Sequence, residues 1–183
     1  HSFYNCSGIS GKMFIPAGIN QIGYYTFYNC KNISGYETDP SNIYFTTENG
    51  MLMSKSKDRL IACPVSMKGN ITIPETTRYL DPCTFGFCSL ITGDIILPSN
   101  LEYIGKYAFF GCNSINGFKV DESNKYLSSI DGILASKLRD TIYICPASKT
   151  GIIELPESVK FIGESSFYGC DKLTEVRLPV NLE

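Results

Sequence analysis

Eight cysteines are the residues best suited to chemistry in this chain of 183, and their spacing decides what they can do. A thiol becomes a nucleophile or metal ligand where a base, a cation or further ligands stand beside it. There is no C-x-x-C pair, and the single histidine is His1, at the very start of the chain. Cys-His, Ser-His and histidine-metal arrangements therefore lack a partner. Adjacent carboxylates such as Asp121 and Glu122 suit acid-base work, although a solvated turn after a strand is the simpler reading. No two glycines lie two apart, which excludes dinucleotide-binding and kinase glycine loops, and there is no Walker or EF-hand pattern. The expectation is a protein that is not an enzyme and carries no metal and no cofactor. Asn5-Cys6-Ser7, Asn32-Ile33-Ser34 and Asn70-Ile71-Thr72 match the N-glycosylation acceptor pattern.

The elements that would position these residues come from repetition. Cys6, Cys88 and Cys170 are 82 residues apart. The same step relates Cys30 to Cys112, Cys63 to Cys145, Pro16 to Pro98, Pro74 to Pro156, Gly50 to Gly132, and Phe3 to Phe85 and Phe167. The chain thus holds a little over two copies of one 82-residue unit, itself divided into a 24-residue and a 58-residue part. A short motif, Ile-Gly-x-x-x-Phe-x-x-Cys-x-x-Ile/Leu, recurs from Ile22, Ile104 and Ile162, with partial versions around Phe3 and Phe85. Cys6, Cys30, Cys88, Cys112 and Cys170 occupy one repeat position, so a column of small buried side chains is expected. A disulfide between coils remains open because it needs specific geometry. Cys83 has Ser165 at the equivalent place and is the cysteine to test for a local disulfide or a reactive thiol.

Composition is consistent with a packed repeat: 43% apolar and 13% aromatic residues argue against disorder. A net charge of −2 without a run of five like charges leaves no footprint for nucleic acid or a membrane surface. No apolar run approaches the roughly 18 residues that span a bilayer. No secretory signal opens the chain, which begins in mid-pattern, so a single solenoid domain over 1–183, cut from a longer array, is expected.

The stretch from Leu97 to Cys112, reading Leu-Pro-Ser-Asn-Leu-Glu-Tyr-Ile-Gly-Lys-Tyr-Ala-Phe-Phe-Gly-Cys, resembles the BspA-like, treponeme-type leucine-rich repeat nearly throughout. The longer half, with Asn42, Asn49-Gly50 and Cys63-Pro64, then Asn124, Asp131-Gly132 and Cys145-Pro146, is similar to that family's hairpin-bearing repeat. Thr26, Thr84 and Ser166 stand where the family prefers Ala. The resemblance implies a surface protein of mucosal bacteria or of protozoan parasites such as trichomonads, serving adhesion or recognition. The partners it implies are proteins of a host extracellular matrix or cell surface.

The fold class expected is α/β: a leucine-rich-repeat solenoid with a parallel sheet of about seven strands on its concave face. Inward positions are Met13 and Ile15, Tyr36 and Thr38, Ile71 and Ile73, Ile95 and Leu97, Phe118 and Val120, Ile153 and Leu155, Val176 and Leu178, alternating as half-buried strands require. The Ile-Gly-x-x-x-Phe-x-x-Cys runs are read as short helical or 3₁₀ turns on the convex side. Asn49-Gly50 and Asp131-Gly132 predict two extra β-hairpins. Cys6 to Pro16 and Cys88 to Pro98 span ten residues against nine from Cys170 to Pro179, which places a bulge in the strand that follows Cys6 and in the one that follows Cys88. Outward residues Phe14, Glu37, Thr72, Ile96, Lys119, Glu154 and Arg177, with Ile152 from the flanking row, form the expected ligand-binding face for a protein or glycan. A spacer that displays another domain is the alternative function.

Overall fold

The computed structural model describes residues 2–183, so His1 lies outside the described residues. The strands in chain order are β1 (Ser10–Ile15), β2 (Asn32–Thr38), β3 (Phe45–Glu48), β4 (Met51–Ser54), β5 (Arg59–Ala62), β6 (Tyr79–Leu80), β7 (Gly93–Leu97), β8 (Tyr103–Ile104), β9 (Ile115–Val120), β10 (Leu127–Ile130), β11 (Ile133–Ser136), β12 (Thr141–Ile144), β13 (Gly151–Glu154), β14 (Phe161–Ile162) and β15 (Leu173–Arg177). They form a β-solenoid of about seven turns, and no helix occurs among the described residues.

The turn segments are where sequence and structure part: the expected α/β class is corrected to all-β. Spacings of four residues from Gly to Phe and of three from Phe to Cys and from Cys to Ile or Leu imitate helical periodicity, but the backbone reverses hand too often to continue a helix. Tyr25, Cys83, Tyr107 and Ser165 all have positive φ, as do Asn5, Asn29, Phe87, Gly111 and Gly169, each immediately before a column cysteine. A left-handed residue about every fourth position leaves single turns, such as Thr26 N to Gly23 O, Tyr28 N to Tyr25 O and Cys30 N to Phe27 O. Their free amides pair with the neighbouring coil instead: Cys83, Phe85 and Phe87 donate to the carbonyls of Lys106, Ala108 and Phe110 at 3.2, 2.8 and 2.7 Å.

The parallel ladder exists but is divided. β1 pairs with β2, β7 with β9 and β13 with β15, all parallel, and two isolated bridges, Gly69 to Ile91 and Thr72 to Ile96, tie in the coil before β7. One continuous seven-strand sheet does not form, because the hairpins predicted at Asn49-Gly50 and Asp131-Gly132 are present and push their tips into the ladder. Tyr36 N donates to Gly50 O and Phe118 N to Gly132 O, both at 2.9 Å. The approach is close enough that a β-carbon on Gly117 would lie 3.3 Å from the Gly132 Cα, which explains a glycine inside strand β9. Register shifts fall at Gly11/Lys12 in β1 and Gly93/Asp94 in β7, as the ten-residue spacing predicts, and a third at Gly151/Ile152 was not foreseen. All three bulge glycines have positive φ, the conformation such bulges require.

A second, smaller set of strands runs parallel to this ladder from coil to coil: β5, β6 and β8 in the first unit, β12 and β14 in the second. Between ladders, the interior is filled by the expected column. Of its five cysteines, Cys30, Cys88 and Cys112 are buried whereas Cys6 and Cys170 are half-buried, and phenyl rings stack from coil to coil, Phe85 on Phe109, 4.8 Å apart and nearly coplanar. Of the inward positions, Ile15, Tyr36, Ile71, Ile73, Ile95, Leu97, Phe118 and Leu155 are buried, whereas Met13, Thr38, Val120, Ile153 and Val176 are half-buried. Leu178 is 54% exposed, contrary to expectation. The hydroxyls at the Ala-preferring position are satisfied: Thr84 Oγ1 donates to Leu60 O and Asp81 O, and Ser166 Oγ to Ile142 O and Gly163 O.

Candidate functional site

The outward side of the parallel ladder gathers the residues singled out from sequence. Observed register sets Phe14 against Glu37, Ile96 between Thr72 and Lys119, and Glu154 against Arg177, while Ile152 pairs with Glu175 in the flanking row. All eight are exposed. They form three groups and not one unbroken surface, since the two hairpin tips separate β2 from the Thr72 coil and β9 from β13.

Charge on this face is largely satisfied within itself. Lys12 pairs with Glu37 at 2.6 Å, Lys119 with Asp94 at 2.8 Å, and Arg177 with Glu175 at 2.8 Å and more loosely with Glu154 at 3.8 Å. Such exposed pairs contribute little to stability. What stands out is apolar area between them: Phe14, Ile96 and Ile152 are 53%, 60% and 55% exposed. These side chains lose nothing by leaving water, whereas the paired charges would first have to be desolvated.

The glycosylation candidates occupy different settings. Asn5 is exposed with φ 63°, and its Oδ1 accepts a bond from the Asn29 side-chain amide. Asn32 donates through Nδ2 to Ser7 O at 2.6 Å, and Asn70 is exposed beside Gly93.

All eight cysteines are free thiols. Two repeat-related pairs meet across neighbouring coils: Cys63 and Cys88 both point at Pro64 O, each at 3.7 Å, and Cys145 and Cys170 at Pro146 O, at 3.8 and 3.7 Å. Cys30 and Cys112 point instead at the carbonyls of Phe3 and Phe85, at 2.8 and 3.0 Å. Cys83 forms no local disulfide, and burial pushes its thiol up to about 11, away from reactivity. No group of three or more His, Cys, Asp or Glu able to hold a metal ion occurs among the described residues, and no helix there is long and apolar enough to cross a membrane.

Sequence reasoning missed the seam between the coil at 101–113 and the coils at 141–168. Among the described residues, no backbone hydrogen bond crosses it, and a cleft of about 330 Å³ opens there. A residue-by-residue alignment of the two 82-residue copies carries the signal: Gln21, Ile61 and Gly86 in the first copy become Tyr103, Tyr143 and Tyr168 in the second.

Comparison with known proteins follows the same lines. The pattern described as BspA type leucine rich repeat region matches six times, over residues 1–58, 62–130 and 142–183. No curated protein sequence matches the chain significantly. Among solved structures, a leucine-rich repeat protein from Eubacterium ventriosum is 20% identical with a TM-score of 0.61, over 94% of this chain and 50% of its own. The pneumococcal vaccine antigen PcpA is 20% identical with a TM-score of 0.66, over 94% of this chain and 44% of its own. A leucine rich cell surface protein from Faecalibacterium prausnitzii is 15% identical with a TM-score of 0.51, over 98% and 64%. This chain therefore spans about half to two thirds of the length of each. At these identities the likeness establishes the solenoid fold alone, and it is the six-fold repeat match over most of the residues that assigns the chain to the BspA-type leucine-rich repeat family.

Proposed function

We propose that this chain is a non-enzymatic recognition module of an extracellular, cell-surface protein, and that it adheres to a protein partner through the outward face of its parallel ladder. Phe14, Glu37, Thr72, Ile96, Lys119, Ile152, Glu154 and Arg177 are the contacting residues in this reading. The observation that carries it is that each of the three groups holds one apolar side chain in water, Phe14, Ile96 and Ile152, beside charges already paired with one another. Apolar anchors ringed by polar groups supply affinity while the ring supplies register. Mixed charge favours a protein over nucleic acid, and a rigid stack presents its face without an ordering cost on binding. The words cell surface and vaccine antigen in the names of structural neighbours support the surface setting. A host extracellular-matrix or cell-surface protein is the partner class.

The test is retention of matrix and epithelial surface proteins by the immobilised chain, compared with an Ile96→Asp, Arg177→Glu double variant. Binding weakened roughly tenfold or more in the variant supports the reading. Undiminished binding moves the site elsewhere, and a wild-type chain that retains nothing marks a spacer.

A further inference from the structure

The two 82-residue copies share a seam, and it is closed in one and open in the other. In the first copy Tyr28 lies down on Gly86, so closely that a β-carbon there would sit 2.9 Å from the ring, and only about 30 Å³ remains. In the second copy the equivalent residues are Phe110 and Tyr168. The Tyr168 side chain occupies the place Tyr28 fills by lying on glycine, so Phe110 stacks against its ring, centroids 4.1 Å apart, and the seam stays open at about 330 Å³. Tyr103, Tyr126 and Tyr143 stand half in water at the rim. Below them the floor is apolar, with Ile104, Phe109, Leu127 and Ile144. Across the lip, Glu164 accepts from Lys106 at 2.7 Å and from the Tyr107 hydroxyl at 2.9 Å, with the Lys106 ammonium over the Tyr107 ring.

We propose that this seam is a binding site for a small aromatic ligand, one ring or a fused pair, inserted between the tyrosine rim and the apolar floor. Size and chemistry point the same way. The volume is at the lower end of ligand pockets, roughly 300–1,000 Å³, too small for an oligomer. Among the described residues, the buried side-chain nitrogen or oxygen atoms without a partner are Asn29 Oδ1 and Thr77 Oγ1, and neither lines the cleft. A sugar's hydroxyls would thus go unsatisfied on the floor, at a cost that an aryl ring escapes. Rings meeting rings gain offset-stacked or edge-on contacts beyond the area they bury. The site is separate from the outward ladder face, so either can fail without the other.

The chain has no tryptophan, so the fluorescence of an added indole, excited at the red edge where tyrosine does not absorb, reports the ligand alone. Indole titrated into the protein should show a saturable blue shift. Tyr168→Gly restores the first copy's residue, lets Phe110 drop into the gap, and should weaken indole by about tenfold or more. Tyr143→Ile, again the first copy's residue, should weaken it less. Both positions are exposed, so folding checked by circular dichroism should persist. Where Tyr168→Gly fails to fold, Tyr143→Ile decides. No saturable shift with the parent protein, or unaltered indole binding in the folded variants, overturns the proposal.

Discussion

The side-chain amide of Asn124 donates to the carbonyl of Leu101 at 2.9 Å, fixing the entrance of one coil to the body of the one before it. The same amide also donates to Pro98 O at 3.1 Å, while its oxygen accepts from Tyr126 N and Leu127 N, both at 2.8 Å. Asn42 repeats the arrangement 82 residues earlier, with Pro16, Ile19, Tyr44 and Phe45. Both side chains are fully buried. Asn124→Ala would orphan several backbone groups in a dry interior, and each costs about 1–3 kcal/mol. The expected loss is about 3 kcal/mol or more, read by urea denaturation. Asn124→Asp, which can accept but not donate twice, should be no better.

Conformation alone is tested at Gly169. Its φ is 74°, and an added β-carbon would meet its nearest atoms at an ordinary 3.6 Å. Gly169→Ala therefore isolates the left-handed backbone cost, and a loss of about 1 kcal/mol is expected in the same assay.

Two hydroxyl-bound aspartates contribute to the acid limit. Hydroxyls from Ser56 and Ser54 hold Asp58 below its ordinary 3.8, and those of Ser136 and Thr141 do the same for Asp140. A carboxylate with a depressed folded value contributes stability above its unfolded value and loses it as pH falls through the folded one. Thermal stability should thus decline below about pH 4, and more gently in an Asp58→Asn, Asp140→Asn double variant. Parallel profiles for both proteins would remove these groups from the account.

Thiol reactivity should follow environment. Burial raises Cys83 and Cys112, and contact with Cys63 followed by burial raises Cys88. Cys170 is lowered by the hydrogen bond from Cys145, which keeps the shared proton. Under native alkylation read by peptide mass spectrometry, Cys170 should label before Cys83, Cys88 and Cys112. Early labelling of Cys83 would contradict its placement.

Repetition made much of this fold legible. The 82-residue step located the coils, the hairpins, the cysteine column and the outward row, because each repeats at a fixed chain distance and a coil cannot bury its apolar side alone. The turns were misread, since Phe109, Cys112 and Ile115 fall at near-helical intervals while the decisive left-handed residue is as bulky as Tyr107 or Phe87, which no propensity assigns to positive φ. Hairpin tips entering the ladder depend on three-dimensional proximity between Gly117 and Gly132 that pattern does not encode. On the outward row, the pairing of Ile96 with Lys119 was visible in the alternation, whereas the internal neutralisation of Lys119 by Asp94 needed coordinates.

The claim that the ladder's outward face receives the partner is tested most directly by amide hydrogen exchange of the chain alone and with the matrix or surface protein it retains. Slowed exchange concentrated in Ser10–Ile15, Asn32–Thr38, Gly93–Leu97, Ile115–Val120, Gly151–Glu154 and Leu173–Arg177 is the predicted result. Slowing confined to the turn segments before the column cysteines, with those strands unchanged, would contradict it.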